Sequence, residues 1–125
     1  MDIGKDLVAA SATPLVLAIL REGESYGYAI IKRVDELSGG ELHWTDGMLY
    51  PVLHRLERNG LVKSSWGRAE SGRRRKYYRL TKEGAEELES QQRQWQVVNE
   101  TLRATKSFKS RRRGSDGARR RRTGA

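Results

Sequence analysis

Between residues 46 and 80 the hydrophobic pattern changes its period. In "DGMLYPVLHRLERNGLVKSSW" the residues Leu49, Val52, Leu53 and Leu56 recur at helical spacing. That pattern stops at Asn59-Gly60. By "RRKYYRL" it has become an alternation, with Lys76, Tyr78 and Leu80 set against Arg75, Tyr77 and Arg79. Glu70-Ser71-Gly72 between the two runs supplies a turn, so the segment predicts a helix followed by an antiparallel hairpin. Thr45 is placed to cap that helix, and Asp46 suits its first turn. Pro51 lacks the N–H that would bond the carbonyl of Gly47. The stripe nevertheless continues to Leu56, which favours one continuous helix with a disturbed first turn over a start near Gly47 or Met48.

Two further helices are expected upstream. Thr13-Pro14, followed by Leu15, Val16, Leu17, Ile19 and Leu20, reads as a capped start, with proline at the first helical position. Its apolar residues go almost all the way round, so this helix should be central, and Gly23 stops it. Ser25 is placed to cap a second helix from about Tyr26 to Ser38, with a stripe of Ile30, Ile31, Val34 and Leu37 and an end at Gly39-Gly40. Tyr26 and Tyr28 are expected to pack these two helices together, Tyr78 to enter the core, and Trp66 to be structural. The order of three helices, strand, loop and strand is that of a winged helix-turn-helix. The expected fold is therefore mainly α with a small β hairpin, and residues 1–81 form the DNA-binding domain.

Thr81 caps a fourth helix expected over residues 82–106. Its stripe of Ala85, Leu88, Gln92, Trp95, Val98 and Leu102 holds one face for about five turns. After a completed small domain, such a face is best buried against a second copy of the chain, with folding back on the first helix as the alternative. Leu88, Gln92, Trp95, Val98 and Leu102 are the expected dimer interface. In a two-fold dimer Trp95 lies near its twin, so Trp95 and Val98 are the candidate ligand-binding pair for a flat molecule.

Charge locates the rest. The net charge is +9, and Lys106–Ala125 alone holds nine of the 25 Lys and Arg with one of the 16 acidic residues. Rich in Arg, Gly and Ser, residues 107–125 cannot offset the entropy of ordering and are expected to be disordered alone. A second basic run, Arg55 to Lys82, carries ten cations against Glu57 and Glu70. On a winged helix it falls on the third helix and the hairpin, an electrostatic footprint for a polyanion. The face of the third helix opposite its leucines offers Tyr50, His54, Arg55 and Arg58, with Thr45 and Gly47 at its entry. Glycine there lets a phosphate approach the backbone closely. Arg73, Arg74, Arg75 and Lys76 form the wing, whose contacts should position the protein more than read sequence. His54 serves equally well to hydrogen-bond a neighbour and hold its helix.

The 125 residues favour one domain, and there is no cysteine, which excludes disulfides and thiolate metal sites. No apolar run is long enough for a bilayer, so a soluble, cytoplasmic chain is expected. No nucleophile–base spacing or phosphate loop stands out, and no catalytic residue, cofactor or metal is assigned.

At this point the chain resembles a known family. "SYGYAIIKRVDEL", "DGMLYPVLHRLERNGLV" and "GRRRKYYRLTKEG" together are similar to the PadR family of bacterial transcriptional regulators, over about Pro14 to Leu102. The resemblance implies a homodimeric winged-helix repressor on a palindromic operator, dimerised by its C-terminal helix together with its N-terminal one. It also implies the smaller subgroup with one C-terminal helix, some members of which bind flat aromatic or cationic drugs against a tryptophan at the dimer interface. Trp95, eleven residues after Gly84, has the expected spacing. Met48 departs from the threonine common before Leu49-Tyr50, which removes a hydroxyl contact, and the Arg-rich tail lies outside the family pattern. The expectation is thus a homodimeric DNA-binding repressor released by a small flat or cationic effector at the dimer interface. The alternative is a non-specific nucleic-acid or nucleoid binder that works through its tail.

Overall fold

The third helix forms where the leucine stripe predicts it. In the computed structural model, which describes the backbone of residues 1–114 and the side chains of residues 1–105, α3 spans Asp46–Arg58 and runs unbroken through Pro51. The Thr45 hydroxyl accepts the Met48 N–H at 3.2 Å. At the other end Gly60, with φ of 76°, sits just past the cap residue Asn59. The Leu61 N–H reaches back to the Leu56 carbonyl (2.9 Å), and that of Gly60 to Glu57 (3.0 Å). This left-handed closure satisfies carbonyls that the helix leaves open. It also aims the chain into β2 (Val62–Arg68).

Two other expectations change. The first helix, α1, spans Lys5–Arg21 with Gly4 as its cap residue, so Pro14 is interior and Thr13 is not a cap. The added turns bring Ala12, 1 % exposed, and Val8 onto the core, and their burial offsets the backbone bond that Pro14 cannot make. Ser25 likewise caps nothing. Ser25–Tyr26 form a short strand, β1, with Ser25 opposite Tyr78 and Tyr26 opposite Tyr77. Held extended by that pairing, Tyr26 becomes the residue before α2 (Gly27–Leu37).

β2 pairs with β3 (Arg74–Leu80) in the register Val62↔Leu80 through Arg68↔Arg74, and the sheet order is β1-β3-β2. The hairpin loop closes through the Gly72 N–H to the Ala69 carbonyl (2.8 Å) and the Ala69 N–H to the Arg73 carbonyl (2.9 Å). Gly72 takes a φ of 87° there, and Arg68 donates to its carbonyl at 2.8 Å.

One core joins these elements. Val16, Leu17, Ile30, Leu49, Leu53, Leu56, Val62, Tyr78 and Leu88 are all fully buried in it, and Trp44, from the loop before α3, is 5 % exposed. α4 spans Lys82–Gly114. Thr81 begins it as expected: its hydroxyl accepts the Gly84 N–H (3.0 Å) and donates to the Gly60 carbonyl (2.7 Å). A Cβ on Gly84 would come within 2.0 Å of the Leu61 carbonyl oxygen, so only glycine lets α4 start this close to the strand.

The chain divides into two compact units, Met1–Ser90 and the residues from Gln91 onward. Leu88 belongs to the core of the first, so of the expected seam residues it is already covered within the chain. In the second unit α4 continues past Lys106 to Gly114; the rest of the expected tail lies outside the described residues. Val97, Val98 and Leu102 are 63 %, 52 % and 64 % exposed, Trp95 is half-buried, and Gln92 is exposed.

Candidate nucleic-acid interface

α3 buries Leu49, Val52, Leu53 and Leu56 and leaves Tyr50, His54, Arg55 and Arg58 on its outer side. Tyr50 is placed by a neighbour that the sequence did not single out. Gly27, the first residue of α2, is buried, and a Cβ there would meet the Tyr50 hydroxyl and the ring carbon that bears it within 3 Å. The tyrosine therefore brings its hydroxyl end against the start of α2. Its ring stands 6.4 Å from that of His54.

Across from this face lies the wing, and the two enclose a groove of about 590 Å³. Of the expected contact residues it gathers Tyr50, His54, Arg73, Arg74, Arg75 and Lys76. Three aromatic residues missed by the sequence reading join them: Tyr26, Tyr28 and Trp66. Tyr28 is 69 % exposed and Trp66 59 % exposed. Neither serves the core, which corrects the expected packing role of Tyr28 and the structural role of Trp66. The missed signal was the alternation itself. Trp66 is the register partner of Lys76, so an aromatic and a cation share one side of the hairpin.

The remaining expected contacts lie outside the groove. Arg55 donates to the Thr13 hydroxyl at 2.8 Å and so ties α3 to α1. Thr45 and Gly47 are exposed at the entry of α3, and Arg58 is exposed at its end. A Cβ on Gly47 would meet nothing closer than the Thr45 hydroxyl at 3.9 Å, so the fold itself does not require glycine there. The two histidines stand apart in role: His43 pairs with Asp35 at 3.0 Å, whereas His54 lines the groove. Tyr78 forms the groove's inner wall, and its hydroxyl is buried without a partner among the described residues. Burial above all, then the proximity of Glu57 and Tyr50, pushes its phenol up from the ordinary value.

The groove can do one kind of chemistry well. Several cationic donors, interleaved with ring faces, suit a polyanion that carries flat groups. Among the described residues no helix is long and apolar enough to cross a membrane.

Comparison with known proteins gives the family and the fold. Residues 16–90 match the family model described as "Transcriptional regulator PadR-like family". The fold superposes on a transcriptional regulator from Clostridium thermocellum with a TM-score of 0.74 and 31% identity, covering 82% of this chain and 96% of that one. A PadR family transcriptional regulator from Eggerthella lenta gives 0.69 and 35%, over 80% and 85% of the two chains. The transcriptional regulator YqjI of Escherichia coli is 32% identical over 90 residues, which cover 72% of this chain and 42% of the regulator, so the match spans less than half of that protein.

Proposed function

The chain belongs to the PadR-like family of transcriptional regulators, and on that premise we propose that it is a homodimeric repressor released by a small flat or cationic ligand. Each copy would lay α3 in a major groove and its wing on the flanking backbone, the two copies about one helical turn apart on a palindromic operator. The observation that carries this reading is the groove, in which Tyr50 and His54 of α3 face Arg73, Arg74, Arg75 and Lys76 of the wing. Thr45, Gly47, Arg55 and Arg58 then meet the duplex around it.

Dimerisation is supported by the second unit, where Val97, Val98 and Leu102 leave apolar surface uncovered on a helix. A second copy would cover it along Gln92, Trp95, Val98 and Leu102. Trp95 and its twin would then offer two ring faces to a flat cation, with Val98 beside them. Such a ligand acts only by binding one arrangement of the two reading heads more tightly than the other.

Selection of bound sequences from random duplex DNA, repeated at two salt concentrations, tests the proposal. The expected outcome is an inverted repeat whose preference over unrelated duplexes persists at the higher salt, with affinity falling steeply as salt rises. Equal affinity for unrelated duplexes, lost on truncation after Phe108, would replace it with tail-driven non-specific binding. For the effector, flat cationic dyes are titrated into the wild type and Trp95→Ala. Saturable binding confined to the wild type is expected, and equal binding by both removes Trp95 from the site.

A further inference from the structure

The cations of the wing are not presented alike. The guanidinium of Arg74 lies over the Trp66 ring, 4.4 Å from its centre, and that of Arg75 lies over Tyr26 at 3.8 Å. Arg73, one residue nearer the tip, stacks on no ring among the described residues. The two rings come from different elements. Trp66 stands on β2 opposite Lys76, so Arg74 is its diagonal neighbour, and the Lys76 ammonium is also 5.9 Å from its centre. Tyr26 stands on β1 opposite Tyr77 and meets that ring edge-on at 5.7 Å. An indole that is 59 % exposed is not held there by the needs of the core.

Stacking uses the flat face of a guanidinium and leaves the N–H donors on its edge free. An arginine loses rotamer freedom when it is fixed on a phosphate, and a ring that already limits that freedom reduces the loss on binding. We infer that Trp66 and Tyr26 are positioning residues for DNA binding, each holding one wing arginine by its face so that its edge meets a phosphate or the minor groove. This rests on the reading that the groove faces DNA. It divides the wing into two arginines fixed in advance, Arg74 and Arg75, and one, Arg73, ordered only on contact.

A double-mutant cycle tests it. Affinity for the selected duplex is measured at two salt concentrations for Trp66→Leu, Arg74→Gln and the pair, with Trp66→Phe, Arg73→Gln and Arg75→Gln alongside. Thermal midpoints confirm that each variant folds. Trp66→Leu should weaken binding by about five-fold and leave the salt dependence unchanged, because no charge is lost. Trp66→Phe should recover most of the affinity. With Arg74→Gln already present the leucine should have less than about a two-fold effect, whereas with Arg73→Gln it should keep its full effect. Additive losses for Trp66 and Arg74 would overturn the positioning role while the groove still bound DNA. Unchanged affinity and salt dependence in both Arg74→Gln and Arg75→Gln would instead remove the groove from the DNA interface, and the reading beneath the inference with it.

Discussion

Leu88 and Leu102 stand on one stripe of one helix, yet the first is 1 % exposed and the second 64 %. The same contrast separates the two units. Up to Ser90, every helix contributes leucines, isoleucines or valines to one core, together with Trp44 and Tyr78, whereas Leu7 of α1 and Leu37, the last residue of the expected α2 stripe, stay exposed. From Gln91 to Thr105, Val98 and Leu102 continue the stripe at helical spacing and, with Val97 beside them, stay uncovered. An apolar stripe states which side of a helix seeks cover. It does not state what provides the cover.

The largest effect should come from cutting each leucine back. Leu88→Ala should destabilise the first unit by about 2–5 kcal/mol through lost burial and a cavity, with a denaturation midpoint independent of protein concentration. Leu102→Ala should leave that unit unchanged and weaken self-association. Sedimentation across a dilution series reads the second effect, and equal concentration dependence in both variants would erase the distinction between the units.

Glycines sharpen the same contrast between closed and open surroundings. Gly84→Ala drives a methyl into the Leu61 carbonyl, which is backbone and cannot step aside, so a loss of about 1–3 kcal/mol is expected in chemical denaturation. Gly47→Ala meets open space and should stabilise the fold by up to about 1 kcal/mol through helix propensity. It should weaken DNA binding if a phosphate comes close to that backbone. A Gly47→Ala protein that is more stable and binds DNA as the wild type does would show that the glycine serves neither purpose.

The smallest effect concerns the buried phenol of Tyr78. In the folded chain it ionises above the value near 10 of the unfolded chain, so the unfolded state releases its proton first. Its contribution to stability is full below that value and is lost as pH rises beyond it. Tyr78→Phe should therefore change stability by no more than about 1 kcal/mol at neutral pH and lessen the alkaline loss. A difference between the two proteins that did not change with pH above 10 would contradict the buried assignment.

The contrast also explains what was legible in the sequence. Thr45, Asn59-Gly60, Thr81 and the hairpin alternation are local signals, written in the residues that make the bonds, and all four appear where expected. The family was legible for the same reason, since its three motifs are local runs. The start of α1 and the strand at Ser25–Tyr26 were not legible. Each depends on a partner distant in sequence: the core beneath Ala12, and Tyr77 and Tyr78 beside β1. Gly27 and Gly84 left no periodic mark either, because what they provide is room for Tyr50 and for the Leu61 carbonyl. At the groove, residue type picked out the cations, but the rings beneath two of them emerged only from register.

The two residues of β1 have an effect out of proportion to their length. They stitch the middle of β3, at Tyr77 and Tyr78, to the segment that enters α2, while the tip at Ala69–Arg73 is held by its own loop bonds and by the Arg68 side chain on the Gly72 carbonyl. Stitch and tip should therefore open by different routes. Amide protons at the stitch should exchange with solvent only when the helices open as well, and those at the tip should exchange by local fraying. The hairpin is thus sewn to the segment entering α2 along β3 and closed by a local turn at its tip, the end that would meet a duplex.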